Sequence, residues 1–242
     1  TADSVLLQRC LDSIRQQGME EGSYEIIVAD DNGKGLGGAR NQGIRQATGT
    51  YLMFVDADDY LFPNLSYCFS YLLKYTPDIC SFQMCEVNRA GVIPRSFNYK
   101  WEVYESGAEY MSKNNFMGTA WRHFFSRSFL NIHGLAFAES CFHEDEDFVA
   151  KAYCLALTTL ITDYPVYAYF RSSSSIIHER ALQVRLKRLN DFQGMISRVR
   201  NLLCSLESDE KIIPMQVKAL RRRLNFLTVD SVSYTHLTLP TT

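Results

Sequence analysis

The 242-residue chain is 46% hydrophobic and 21% charged with a net charge of −2, enough apolar material for one sizeable core or a core with an appendage. No apolar run approaches the length of a membrane span and no basic-then-apolar leader opens the chain, so the sequence predicts a soluble, cytoplasmic protein. Seven scattered cysteines without a CxxC pair read as reduced core residues, not zinc ligands. Charge is uneven: residues 171–242 carry 12 Lys+Arg against 6 Asp+Glu, and residues 1–170 carry 13 against 21. An acidic larger half suits a cation site and argues against broad nucleic-acid binding.

In chain order, Leu7, Cys10, Leu11 and Ile14 predict a helix over 5–17, stopped at Gly18. Residues 24–29 read as a buried strand ending at Asp30 and Asp31, followed by a helix over 36–48 and a strand over 51–55, a parallel crossover. Pro63 suits the start of a helix over 64–75, with a strand over 79–87 and a turn at 88–91 after it. The aromatic-rich stretch 92–117 has no period and receives no assignment. A helix with an acidic start is expected over 145–157, then strands over 159–162 and 166–170. Apolar residues every three or four positions predict a long helix over 179–206 and another over 214–228; residues 231–242 fit no helical pattern and are expected to be a disordered or non-native tail.

Three stretches carry chemistry. Asp56-Ala57-Asp58 ends an apolar strand, and if the extended conformation persists the two carboxylates face one way and could share Mg²⁺ already carrying a diphosphate. The plainer reading has Asp58 and Asp59 capping the next segment. Gly35 to Asn41 lacks the ending of a phosphate loop and reads as a helix start whose glycines admit close backbone approach. Glu144-Asp145-Glu146-Asp147 exceeds what helix capping needs, and clustering raises a carboxyl pKa toward that of a useful base.

Taken in order, Tyr24-Glu-Ile-Ile-Val-Ala-Asp-Asp31, Gly35 to Gly43, the Asp56 to Asp58 triplet, Trp121 to Leu130, His143 to Phe148 and Tyr167 to Ser172 resemble the family 2 glycosyltransferases over about residues 6–177. The resemblance implies an α/β fold of GT-A type, a Rossmann-like nucleotide-diphospho-sugar transferase with a mixed sheet flanked by helices. It divides the chain into that domain (1–177), a C-terminal helical extension (178–230) and the tail (231–242). By the same resemblance Asp56 and Asp58 hold Mg²⁺ or Mn²⁺, and Asp30, Asp31, Arg40, Asp56 and Arg171 bind the nucleotide sugar, Arg171 acting with the serines to Ser175. Trp121 and Glu144 meet the acceptor, and Asp145 is the general base, with Asp147 or Glu146 in its place if the register is off by a residue. The implied reaction moves a sugar, with inversion, from a UDP-linked donor to a saccharide or lipid-linked acceptor in cell-surface polysaccharide synthesis.

Two family features are missing: an opening apolar strand, and a helix and short strand between Asp31 and Gly35. A truncated, shortened member is therefore expected, and an inactive fragment or nucleotide-binding remnant is the main alternative. A haloacid dehalogenase-like phosphatase is the weaker one. Arg185, Lys187, Arg188, Arg198, Arg200 and Arg221 to Arg223 could rest on an anionic membrane at its inner face, or form a solvated face or dimer contact.

Overall fold

The computed structural model describes residues 4–63, 65–93, 95–171, 181–209 and 213–238. Helix α1 (Ser4–Arg15) comes first, then α2 (Gly35–Gln46), β1 (Tyr51–Met53), β2 (Tyr60–Leu61) and α3 (Leu65–Tyr75). These lead to β3 (Ile79–Asn88), β4 (Gly91–Val92), β5 (Trp101–Tyr104) and α4 (Gly107–Lys113). A 3₁₀ turn (Ala120–Arg122) opens into β6 (His123–Ser126) and α5 (Arg127–Ile132). The chain continues through α6 (Glu144–Leu155), β7 (Thr159–Phe170), α7 (Leu182–Glu207) and α8 (Pro214–Thr238).

The sheet runs β1-β6-β3-β7-β2, with β4 beside β3 and β5 beside β7. It is mixed: β3 and β7 pair in parallel, and the other ladders are antiparallel. Strand β3 is central, and Ile79, Cys80 and Phe82 are fully buried, as expected for a strand covered on both faces. One core packs α4, α6, α7 and α8 against the sheet around Phe125, Phe148 and Tyr153; the other lies between α3 and the sheet around Cys68, Leu72 and Phe82. In the first, Phe148 stacks on Phe137 at 3.7 Å between centroids and meets Phe125 edge-on at 5.4 Å.

Several expectations are corrected. Residues 24–29 join no ladder, and Val28 is 61% exposed. An apolar run becomes a strand only where another strand takes its N–H and C=O groups, and no described strand does so here. The carboxylate of Glu25 instead accepts from the N–H groups of Thr48 and Gly49, tethering the segment to the turn before β1. Strand β1 stops at Met53 and pairs antiparallel with β6, so no parallel crossover forms at this point. The two strands expected over 159–170 are one, because a register irregularity between Ser81 and Met84 of β3 absorbs the stretch around Pro165. Helix α8 runs ten residues past 228, to Thr238, since extending an existing helix fixes one residue per added hydrogen bond even where propensity is poor. The unassigned stretch 92–117 holds β5 and α4, the latter capped by Ser106 Oγ accepting from Glu109 N.

No described helix is long and apolar enough to cross a membrane. The seven cysteines are free; five are buried, Cys141 is half-buried and Cys204 exposed. Of the proposed membrane-facing cations, Arg198 and Arg223 turn inward to Asp147 and Glu146, and Arg221 pairs with Glu207. Phe148→Ala would open a void between Phe125 and Phe137 and is expected to cost about 3–5 kcal/mol, read as a lowered urea midpoint at unchanged m-value.

Candidate active site

The site is built on two turns that face each other. After β1 the chain runs through Phe54 and Val55 into a turn closed by Asp59 N donating to Asp56 O at 3.0 Å. The strand has ended by then, so strand alternation does not orient Asp56 and Asp58; the turn does. Tyr167 of β7 fixes it. Its hydroxyl accepts from Asp56 N at 3.0 Å and donates to Asp59 Oδ2 at 2.8 Å, while Phe170 N donates to Asp59 Oδ1 at 2.7 Å. Arg9 of α1 completes the support: Nη2 donates to Asp58 O at 2.6 Å and the guanidinium lies over the rings of Tyr60 and Phe170.

Asp59 is therefore a buried structural acid, and burial pushes its carboxyl up to about 7 despite those two hydrogen bonds. Asp58 is also raised, by burial and then by the charge of Asp56. Asp56 remains partly exposed, its side chain 27% accessible.

Opposite lies the first turn of α6. The glycine-rich start of α2 explains how it gets there. A Cβ on Gly37 would fall 2.0 Å from Ala138 O, so only glycine lets α2 touch the loop leading to α6. One turn on, Asn41 Oδ1 accepts from Phe137 N at 2.8 Å and Asn41 Nδ2 donates to Phe137 O at 3.0 Å. Residues three and four apart share a helix face, so the same face delivers Arg40. Its Nη1 donates to Glu144 Oε1 at 2.6 Å and its Nη2 to Asp56 Oδ1 at 3.0 Å. Burial disfavours its charge, but Asp56, Asp145 and Glu144 together more than compensate and raise its pKa.

Helix α6 has no side-chain cap on His143, and its positive end meets four acids directly. Successive helical residues point roughly 100° apart, so the four side chains leave in four directions. Glu144 meets Arg40 of α2, Glu146 meets Arg223 of α8, and Asp147 meets Arg198 of α7. Asp145 has no ion-pair partner among the described residues and keeps partial solvent access. Burial, opposed by Arg40 and helped by Glu144, Glu146 and Asp56, raises its carboxyl to about 7.

The other predicted site residues take up defined places in this geometry. Arg40 is 8% exposed with its fork engaged by two carboxylates, so it bridges the two turns instead of standing open to phosphate. Glu144 is buried in that bridge. Trp121, in the 3₁₀ turn before β6, is 6% exposed and stacks on Tyr167 and Tyr169 at 4.5 and 5.7 Å, backing the tyrosine that holds the Asp56 turn. Arg171 is exposed and pairs with Glu86 at 2.7 Å, and the serines to Ser175 lie outside the described residues. Asp30 and Asp31 are exposed and accept from Asn32 N and Gly33 N at 2.9 Å, which makes them turn formers here. The sequence reading gave Arg9 no role, quoted Tyr167 only within a motif and set Arg198 and Arg223 on a basic face; the excess of Lys and Arg after residue 170 was the one hint of partners for the α6 acids.

Residues 32–129 match the family model described as glycosyl transferase family 2. EpsH of Bacillus subtilis (strain 168), named as a glycosyltransferase, is 26% identical over 206 residues, which cover 71% of this chain and 58% of EpsH. Over these residues the chain is thus similar in sequence to family 2 glycosyltransferases. Its fold is GT-A: S. aureus TarS 1-349 in complex with UDP superposes with a TM-score of 0.71 at 19% identity, covering 97% of this chain and 71% of that one. The mannosyltransferase PcManGT from Pyrobaculum calidifontis, solved with GDP-Man and Mn²⁺, gives 0.57 at 16% identity over 99% of this chain and 74% of its own. A haloacid dehalogenase-like phosphatase is thereby set aside. The chain spans only 58% of EpsH, as it does of EpsJ from the same organism.

Because Arg40 joins the two turns of the candidate site, Arg40→Met should leave Glu144 buried without its cation and cost about 3–5 kcal/mol in denaturant unfolding. Arg40→Lys is expected to recover only part, since one ammonium does not reproduce a fork spanning two carboxylates.

Proposed function

We propose that the protein transfers a sugar from a nucleotide-sugar donor, UDP-linked, to the hydroxyl of a saccharide or lipid-linked acceptor with inversion, in cell-surface polysaccharide synthesis. The observation that carries this reading is Asp145, the one acid of its run without an ion-pair partner among the described residues, raised toward neutrality and held beside the Arg40–Asp56 pair. A carboxylate of that pKa accepts a hydroxyl proton far better than an ordinary surface aspartate.

Asp56 and Asp58 suit a hard divalent ion, Mg²⁺ or Mn²⁺, that brings other ligands with it. They sit on one tight turn, and Asp58 already carries a raised pKa from burial and its neighbour, a tension that a cation relieves. Such an ion takes one or two carboxylates and completes its shell with diphosphate oxygens and water. Bound there, the ion would neutralise charge on the departing nucleoside diphosphate. The chain's own residues do the remainder. Tyr167 and Arg9 hold the Asp56–Asp59 turn, Arg40 sets its distance from α6, and Asp145 takes the proton from the attacking hydroxyl. Attack on the anomeric carbon opposite the leaving group gives inversion. Asp30 and Asp31, exposed beyond their turn hydrogen bonds, are assigned to the nucleobase, and the exposed Arg171 to the diphosphate.

A nucleotide-binding remnant is the second reading, favoured by residues 24–29, which join no ladder, and by Asp30 and Asp31, which engage their own turn. Binding of UDP with Mn²⁺ in a calorimeter, together with no turnover of any nucleotide sugar, would select it.

A panel of UDP- and GDP-sugars with saccharide and lipid-linked acceptors tests the main reading: transfer should require Mg²⁺ or Mn²⁺ and fall by about 10²–10⁴ in Asp145→Asn. Only the carboxylate form accepts the proton, so kcat/KM should climb as pH rises through about 7 and flatten above it. Undiminished turnover by the Asn variant would remove Asp145 from its role.

A further inference from the structure

The two C-terminal helices reach the centre of the proposed chemistry. Arg223 of α8 is 3% exposed, and its Nε and Nη2 both donate to Glu146 Oε1, the former at 2.7 Å. Its Nη1 donates to Phe116 O at 2.8 Å, and the guanidinium lies over the rings of Phe116 at 4.2 Å and Phe226 at 5.1 Å. The other side of Glu146 is shaped for it as well: a Cβ on Gly118 would sit 2.1 Å from Glu146 Oε2, so a larger residue would displace the carboxylate. Helix α7 secures the same turn of α6. Arg198 grips Asp147 through two hydrogen bonds, at 2.7 and 3.0 Å. Asp191 accepts from Phe142 N at 2.9 Å, and Lys187 donates to Ser140 O at 2.9 Å.

We propose that Arg223 is a positioning residue for the transfer reaction, turning Glu146 toward α8 and neutralising it so that Asp145 is the one acid of the run presented to the cleft. This rests on the reading of Asp145 as the base. The geometry requires an outside cation. Glu144 and Glu146 flank Asp145 in sequence, and Asp56 approaches across the cleft; Arg40 answers Glu144 and Asp56 but does not reach Glu146. Arg198 is occupied by Asp147. Without Arg223 the Glu146 carboxylate would swing toward the helix start, its charge unanswered, and compete with Asp145 for the cleft.

The groups facing Asp145 are thus Arg40 from α2, Asp56 from the turn after β1, and Glu144 and Glu146 from α6 itself. Arg223 of α8 and the Asp147–Arg198 pair stand behind them. The proposal makes α7 and α8 part of the catalytic scaffold, where a helical appendage would be dispensable for chemistry.

The test reads Asp145 directly and does not need turnover. In protein labelled with ¹³C at aspartate carboxyls, with Asp145→Asn assigning the resonance, Glu146→Gln keeps the shape of the pair but leaves the Arg223 charge unbalanced. The Asp145 midpoint should move down by about one pH unit. Arg223→Met should move it up by a similar amount, and the double variant Arg223→Met with Glu146→Gln should return it close to the wild-type value. A folded Glu146→Gln protein with an unmoved Asp145 midpoint overturns the proposal even if Arg223→Met fails to fold. Where transfer is measurable, the pH profile of kcat/KM should shift with the same signs while KM for the donor stays within about twofold. Absent turnover in wild type would sink the functional reading, whereas midpoints that still shift would leave the electrostatic role of Arg223 standing.

Discussion

A buried guanidinium is tolerated only where carboxylates on rigid supports meet it, and Arg40 is that case. One arm of its fork reaches the turn after β1 and the other the first turn of α6, segments 88 residues apart between Asp56 and Glu144. Much else in the structure serves this bridge. Gly37 lets α2 approach the loop before α6, Asn41 pins that loop by two backbone hydrogen bonds, and Tyr167 holds the backbone of Asp56 from the opposite strand. The distance between the proposed metal carboxylates and the proposed base is set by one planar group whose charge cannot be titrated away.

The acid run on α6 shows how helical geometry separates like charges. Along an extended segment four consecutive carboxylates would alternate between two faces and repel in pairs. Wound into a helix they diverge, and arginines from α2, α7 and α8 meet three of them. The arrangement leaves Asp145 raised to about 7 by burial and its neighbours and without an ion-pair partner among the described residues, while burial also raises Glu146 against the opposing pull of Arg223. Environments that push adjacent groups apart in pKa divide acid and base roles among chemically identical side chains.

Much of the architecture was legible in the residues. Periodicity located α1, α2, α3, α6 and α7 to within a few positions, because each buries one face and exposes the other. The ordered acidic and glycine-rich motifs pointed to the right family and fold. What failed has a common cause: outcomes decided by partners distant in sequence. The 24–29 run has strand composition but no described ladder, and Pro165 sits inside β7 only because β3 shifts register beside it. The partners of the α6 acids come from 51 and 77 residues downstream, on helices whose arginines read equally well as a solvated face. Ser106 and Glu109, by contrast, stand at the spacing of a helix start, so α4 was open to detection within the stretch left unassigned.

Holding Asp145 and Asp59 in this way carries a stability consequence of definite sign. Both have folded-state pKa values near 7, above their ordinary value of 3.8, because burial disfavours the charged form. The unfolded chain therefore releases these protons first, and the two groups make the fold less stable as pH rises from about 4 toward about 7. Glu25 and Glu139 act in the opposite sense. Hydrogen bonds from Thr48 and Gly49 lower the former, and bonds from Lys34 and Asn41 the latter, although both are exposed and contribute little. The acids near the proposed chemistry are thus held against their own preference for water, and the packing of Phe137, Phe148 and the C-terminal helices around them is what sustains that arrangement. Loosening this packing would lower the pKa of Asp145 by hydration, weakening it as a base before any contact to a substrate was lost.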